Sequence, residues 1–359
     1  MTTAAAQYRC ESCGAPVQWS PEAGALACEF CGSKQAVPVA QRDIVEYSID
    51  QALNHTGARG LDRPVRRVRC NQCGAVMDLD PGLVAGRCGF CGTPGVVEVK
   101  AETNQLRPES VLPFSISKDA AVQSYRSWLH GLWFRPNDLK RRAELKDIQG
   151  FYLPFWTYDA HADAWWTAEA GYYYYVTESY NDAQGRRQTR QVQKVRWERA
   201  SGRLSQDFDD VLIYASRGLP RELCQAIEPF PTKELVPYDS RFLVGFGAEE
   251  YAIDAKEGWQ LAQTRMHEVL TRACAAQVPG DTQRNLQVRA NFSEARFKHV
   301  LLPIWVAAYR YGEESYRFLV NGRTGEVQGT APWSWVKITL AVLAALLVIF
   351  IIYALSGRS

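Results

Sequence analysis

Four cysteines spaced C-x2-C-x14-C-x2-C occur twice in this chain. Cys10, Cys13, Cys28 and Cys31 form the first set; Cys70, Cys73, Cys88 and Cys91 form the second, 60 residues further on. Thirteen of the 31 positions from 9 to 39 recur in the second copy without a gap, so the repeat is one of sequence and not of cysteines alone. Each C-x-x-C turn can present two thiolates to one face of a metal. Two such turns make a closed tetrahedral all-sulfur site, the arrangement Zn2+ prefers. Closed coordination leaves no position for a substrate, so the two zinc ions expected here are structural. A module of about 30 residues buries too little apolar surface to fold alone, and the metal supplies the difference. Glycine follows every turn, at positions 14, 32, 74 and 92, where a left-handed backbone is expected. Pro21 and Pro81 hold the same place in the two spacers and predict a turn between short strands.

Cysteine use also bears on compartment. The opening MTTAAAQYRCESC lacks a charged region followed by an apolar run, so no signal peptide is expected. Ten cysteines on the reducing side of a membrane point to metal rather than to disulfides. Residues 338–355 read ITLAVLAALLVIFIIYAL, 18 residues without a charge. As a helix they would span about 27 Å, close to the hydrocarbon thickness of a bilayer. Trp333 and Trp335 precede them where an aromatic belt would lie, and Lys337 and Arg358 bracket them. The expected arrangement is a single-pass protein of the cytoplasmic membrane, tail-anchored through 336–355, with its N-terminal bulk in the cytoplasm.

Charge discriminates between partners for the cysteine modules. The first, over 8–40, has two basic and three acidic residues; the second, over 68–100 with the two arginines before it, has five and three. A nucleic-acid binder ordinarily shows a basic face, and the first module has none. Arg59, Arg63, Arg66, Arg67 and Arg69 form the one basic cluster, readable as a solvated linker over 41–67 or as a patch for lipid, an acidic partner or nucleic acid.

An α+β domain is expected over 108–330. Residues 117–132 start with a Ser N-cap and continue with Val122, Tyr125, Trp128, Leu129 and Leu132 at helical spacing. A short helix is expected over 137–145 and a long one over 254–278, with Trp259, Ala262, Met266, Val269, Leu270 and Ala273 on one stripe. Strand signals fill the intervals, and SYRFLVNGRTGEVQG reads as a hairpin. FSISKDAAVQSYRSWL is similar to YAIDAKEGWQLAQTRM, and each is followed by a strand containing Leu-Pro-Phe-Trp (153–156) or Leu-Pro-Ile-Trp (302–305). A duplicated helix-then-strands unit in an antiparallel sheet is the expectation.

Candidates for chemistry are sparse. Asp159, His161 and Asp163 alternate, so they share one face of a strand; they could hold a metal or simply face solvent. His55, His130, His267 and His299 are scattered. Cys274 continues an apolar stripe and reads as core, whereas Cys224 has no partner histidine. Tyr172 to Tyr175 with Trp165 and Trp166 read either as strand packing or as an exposed aromatic surface. No phosphate-binding loop, nucleophile elbow or dinucleotide fingerprint is present, and no catalytic activity is expected.

The doubled C-x-x-C-G turns, YLPFWTYDA at 152–160, LLPIWVAAYRYGEESYRFLVNGRTGEVQG at 301–329 and the terminal apolar segment together resemble a bacterial family of tail-anchored proteins. Its members carry two N-terminal TFIIB-type zinc ribbons and are often labelled primosomal protein N′ (replication factor Y)-like. The resemblance implies a membrane-bound scaffold without catalysis that recruits cytosolic or membrane-associated proteins, PspA-like or SPFH-like, in a membrane-stress response. It does not bring helicase activity, because no ATP-binding loop is present. The second reading, from the arginine cluster, is a membrane-tethered nucleic-acid-binding protein.

Overall fold

The computed structural model describes residues 8–51, 59–63, 65–79, 87–100, 105–136, 148–181, 185–311 and 314–356. Pro81, His55 and the helix expected over 137–145 lie outside the described residues. The strands, in chain order, are β1 (Gln18–Ser20), β2 (Ala25–Ala27), β3 (Lys34–Gln35), β4 (Tyr47–Ser48), β5 (Arg66–Cys70), β6 (Val76–Leu79), β7 (Val96–Glu98), β8 (Ser110–Val111), β9 (Gln149–Asn181), β10 (Arg187–Tyr214), β11 (Val236–Pro237), β12 (Gly247–Glu249), β13 (Thr282–Tyr311), β14 (Glu314–Asn321) and β15 (Val327–Gly329). The helices are α1 (Lys118–His130), α2 (Arg221–Ala226), α3 (Ala255–Gln277) and α4 (Trp335–Ser356). The architecture is α+β.

Both long helices begin where their capping residues stand. Ser117 accepts from the N–H of Ala120, and Asp254 accepts from Lys256 and Glu257. On α3, Gly258, Ala262, Met266, Leu270 and Cys274 recur every four residues and are all buried. They face Ala160, Ala162, Ala164, Trp166 and Ala168, the alternate residues of β9. Small side chains on both surfaces let the helix lie close to the sheet. A Cβ at Gly258 would come within 2.3 Å of the Tyr158 hydroxyl, which donates to Ala255 O at 2.6 Å.

Length distinguishes the sheet. β9, β10 and β13 run 33, 28 and 30 residues, and at the usual rise β9 alone extends roughly 110 Å. β9 lies between the other two, antiparallel to both. The sheet is not wholly antiparallel as expected: β12 runs parallel to β9, and β8 runs parallel to β13. Bulges near Asp210, Asn285 and Glu294, each with positive φ, interrupt the long registers. Past the pairing of Thr282 with Gly171, β13 ends and β9 and β10 continue as a two-stranded arm.

Matching contacts recur around the pairing of Leu153 with Leu302. The Trp156 indole donates to Ile253 O at 2.8 Å, and the Trp305 indole donates to Ile116 O at 2.9 Å. The N–H groups of Ala252 and Ile253 both meet Ala215 O; those of Ser115 and Ile116 both meet Gly322 O. β12 pairs with β9 at Gly247 and Phe151, as β8 pairs with β13 at Ser110 and Val300.

The cysteine modules are built into this body. Val17, Trp19 and Leu26 share one core with Phe114, Tyr152, Phe246 and Trp305. Val68, Met77 and Phe90 share another with Phe151, Leu153 and Ile304. β6 pairs with β12, so the second module's strands join the large sheet. Within the stretch expected to be a linker, 41–67, β4 pairs with β13, and the Arg63 guanidinium donates to Leu243 O and Phe246 O. α4 stands apart from the cores as an exposed apolar helix, with Trp335–Tyr353 long and apolar enough to cross a membrane.

Candidate metal centres

One turn geometry is used four times. The N–H of Gly14, Gly32, Gly74 and Gly92 donates to the carbonyl of Cys10, Cys28, Cys70 and Cys88, at 2.8–3.0 Å. All four glycines have φ between +70° and +75°, the region that a Cβ disfavours. Each first cysteine also donates its own N–H across the turn, to Ala15, Ser33, Ala75 and Thr93. These ties point backbone amides at the sulfurs.

The turns then meet in pairs. Cys10 and Cys31 sulfurs are 3.5 Å apart, as are those of Cys13 and Cys28. In the second group Cys70 and Cys91 are 3.5 Å apart, and Cys73 and Cys88 are 3.7 Å apart. Within each group of four, all sulfurs lie within 4.8 Å of one another. Such separations are far beyond a disulfide bond of about 2 Å, and the thiols are free. They approach the edge of about 3.8 Å that a tetrahedron of four sulfurs has around an ion with 2.3 Å bonds. The donor set, its geometry and the amides aimed at it fit a metal ion. The Cys10 thiol is lowered to about 6, mainly by the Cys13 N–H. Cys73 is lowered to about 5, its contact with Cys88 being the largest cause and the Ala75 N–H adding to it. Their neighbours shift the other way, Cys13 up to about 12 and Cys88 up mainly through its contact with Cys73, so protons are shared unevenly within each group; metal binding takes the thiolate form.

Two charged groups beside the second centre, Arg67 and Asp78, are buried. Arg67 on β5 is buried and makes two bonds to buried Asp78, at 2.7 and 2.9 Å, and an ion pair with Glu250. Arg66 lies 3.6 Å from Glu98. The basic cluster divides: Arg63, Arg66 and Arg67 have partners within the fold, whereas Arg59 and Arg69 are exposed. Glu249 on β12 is fully enclosed and accepts from Tyr214 at 2.5 Å and Ser216 at 2.7 Å. Burial pushes its carboxyl up to about 8.

Of the alternating trio, His161 keeps Asp163 3.7 Å away, while Asp159 joins another group. His161 sits 2.6 Å from Asp207 and 3.0 Å from Ser205 on β10, and Asp207 is the main reason its pKa is raised. Asp159 instead accepts from the Asp210 N–H at 2.6 Å and gathers with Glu46 and Asp210. Burial, with Glu46 beside it, pushes Asp159 up to about 7. The Lys298 ammonium lies 2.7 Å from both Glu46 and Asp210, so a cation already serves that group. Lys298, Glu46 and Asp210 escaped notice in the sequence because they come from three distant segments. Cys224 is buried, which raises its thiol well above the ordinary range. His299 Nδ1 donates to Leu106 O, 3.1 Å away, and burial lowers its pKa to about 4. Two clefts of about 750 and 610 Å³ flank the first module, and neither is lined by Asp159, His161 or Cys224. Trp166 packs under α3, whereas Trp165, Tyr173, Tyr174, Tyr175 and Tyr180 are exposed.

The chain is similar to the uncharacterized protein YdjG of Bacillus subtilis (strain 168), with 25% identity over 334 residues, 92% of this chain and 91% of the relative. No family model matches the chain. No solved structure matches it.

Proposed function

We propose that this chain is a non-enzymatic adaptor, anchored in the cytoplasmic membrane by α4, that recruits cytosolic proteins. Its two four-cysteine centres are structural zinc ribbons held by Cys10, Cys13, Cys28, Cys31, Cys70, Cys73, Cys88 and Cys91. They complete the body, because Val17, Trp19, Leu26, Val68, Met77 and Phe90 are turned into its cores, while Phe30 stays exposed. The matched bonds of Trp156 and Trp305, and of Ala215 and Gly322, support descent of the α+β domain from a duplicated unit.

One observation carries the reading: the two-stranded arm beyond Gly171. An isolated hairpin is marginal in water and gains nothing from uncovered aromatics. This one exposes Tyr173, Tyr174, Tyr175 and Tyr180. Tyr172 and Tyr180 lie beneath Arg196 and Arg190, 5.7 and 5.5 Å from the ring centres. Tyrosine and arginine are the residues enriched at protein interfaces. PspA-like or SPFH-like proteins are the partners that the family resemblance suggests.

The test is co-purification from native membranes, comparing the intact chain with Tyr173→Ser/Tyr175→Ser and treating both with nuclease in parallel. Defined proteins should be lost with the tyrosines and be indifferent to nuclease. Recovery of nucleic acid, with proteins vanishing on nuclease treatment, would replace the adaptor with a membrane-tethered nucleic-acid binder.

A further inference from the structure

Some 200 residues apart in sequence, two aromatic segments meet at the foot of α4. One is Trp333 to Lys337, at the start of the helix. The other is the loop 131–136, GLWFRP, which leaves the end of α1. Three consecutive loop residues hold the foot. The Phe134 carbonyl accepts the Ser334 N–H at 2.9 Å. The Trp133 carbonyl accepts from Lys337 Nζ at 3.1 Å. The Arg135 guanidinium stacks 3.7 Å from the Trp333 ring centre and donates to Ala331 O.

These backbone and cationic ties leave the rings outside. Trp133 is 83% exposed, Trp335 76%, Trp333 59% and Phe134 47%. Four large aromatic side chains thus surround the first turn of a helix that is itself apolar and uncovered. Charge in the collar has one sign: Arg135 and Lys337 are basic, and neither 128–136 nor 331–338 contains an acidic residue. Indole rings beside cations are the chemistry of the bilayer interface, where the ring meets the acyl boundary and the cation meets anionic headgroups.

We infer that loop 131–136 is a second membrane-contacting element, seated in the headgroup layer beside α4 and inserting Trp133 and Phe134. The inference rests on α4 spanning the bilayer. Two contacts fix the body's tilt and depth, where a lone helix would let it swing; the arm is then held at a set attitude above the membrane.

The experiment uses the full chain labelled with 5-fluorotryptophan, in vesicles of equal parts phosphatidylcholine and phosphatidylglycerol. Trp133→Phe, Trp335→Phe and Trp165→Phe assign their 19F lines by disappearance. Spin-labelled lipid carrying the radical near the headgroup should remove most of the intensity of the Trp133 and Trp335 lines. It should spare Trp165 on the long sheet, which an aqueous gadolinium chelate should bleach instead. If the chelate alone bleaches Trp133 while the lipid radical still reaches Trp335, the loop inference fails and the span stands. Should the lipid radical spare Trp335 as well, the span itself is wrong and the inference falls with it.

Discussion

Cysteine spacing and glycine placement are read within one turn of chain, which is why both four-cysteine clusters were visible before any fold was known. Positive φ at Gly14, Gly32, Gly74 and Gly92 follows from the same local need. Replacing Cys73 by Ser should lower the metal content from two ions per chain to about one, read by elemental analysis, because three thiolates no longer close a tetrahedral site. Partners supplied by distant segments were not legible. Arg67 looked like part of a basic patch until the fold set it against Asp78 and Glu250. Arg67→Ala should therefore cost about 3–5 kcal/mol in chemical denaturation, since it strands a buried carboxylate. His299 gives a pH effect. Folded, it stays neutral down to about pH 4; unfolded, it takes its proton near 6.5. Unfolding therefore takes up a proton between those values. Stability is whole above pH 6.5 and falls as pH drops, by about 3 kcal/mol at pH 4. His299→Gln should flatten that part of the slope in denaturation midpoints measured across this range.

At the scale of elements, the caps Ser117 and Asp254 and the stripe through Met266 marked both long helices within a residue or two. Periodicity also marked β9, β10 and β13 as strands. It could not show that β13 would pair with β9 across Leu153 and Leu302, since register depends on what lies opposite. Nor could it show that Trp156 and Trp305 would each bond the segment that opens the other's helix. Trp156→Phe and Trp305→Phe should each destabilise by about 1–3 kcal/mol, the first more, because each leaves a carbonyl without its donor, buried at Ile253 and half-buried at Ile116. Met266→Ala should cost about 2–5 kcal/mol for the cavity it opens between α3 and the alanine row of β9. Thermal or urea unfolding of the variants checks all three; a value near zero at Met266 would mean that α3 does not pack as described.

For the whole molecule, the sequence marks two modules, a linker, a domain and an anchor, but not how they pack. The cores join both modules to the domain. Trp19 donates to Phe114 O at 3.1 Å, and β6 extends the large sheet through β12. Such contacts join residues 95 and 170 positions apart, beyond the reach of any local pattern. The cysteine modules and the large sheet therefore belong to one mechanical unit.

Hydrogen exchange of the full chain in detergent, with and without a chelator under reducing conditions, tests that unity most directly. Metal removal should release protection in 8–40 and 66–100, and equally in β12 and in β9 and β13 near residues 149–156 and 300–306. The stretch of β9 beneath α3, 160–170, should keep its protection. Faster exchange confined to the two cysteine modules, with β12 and the strands beside it unchanged, would contradict the account.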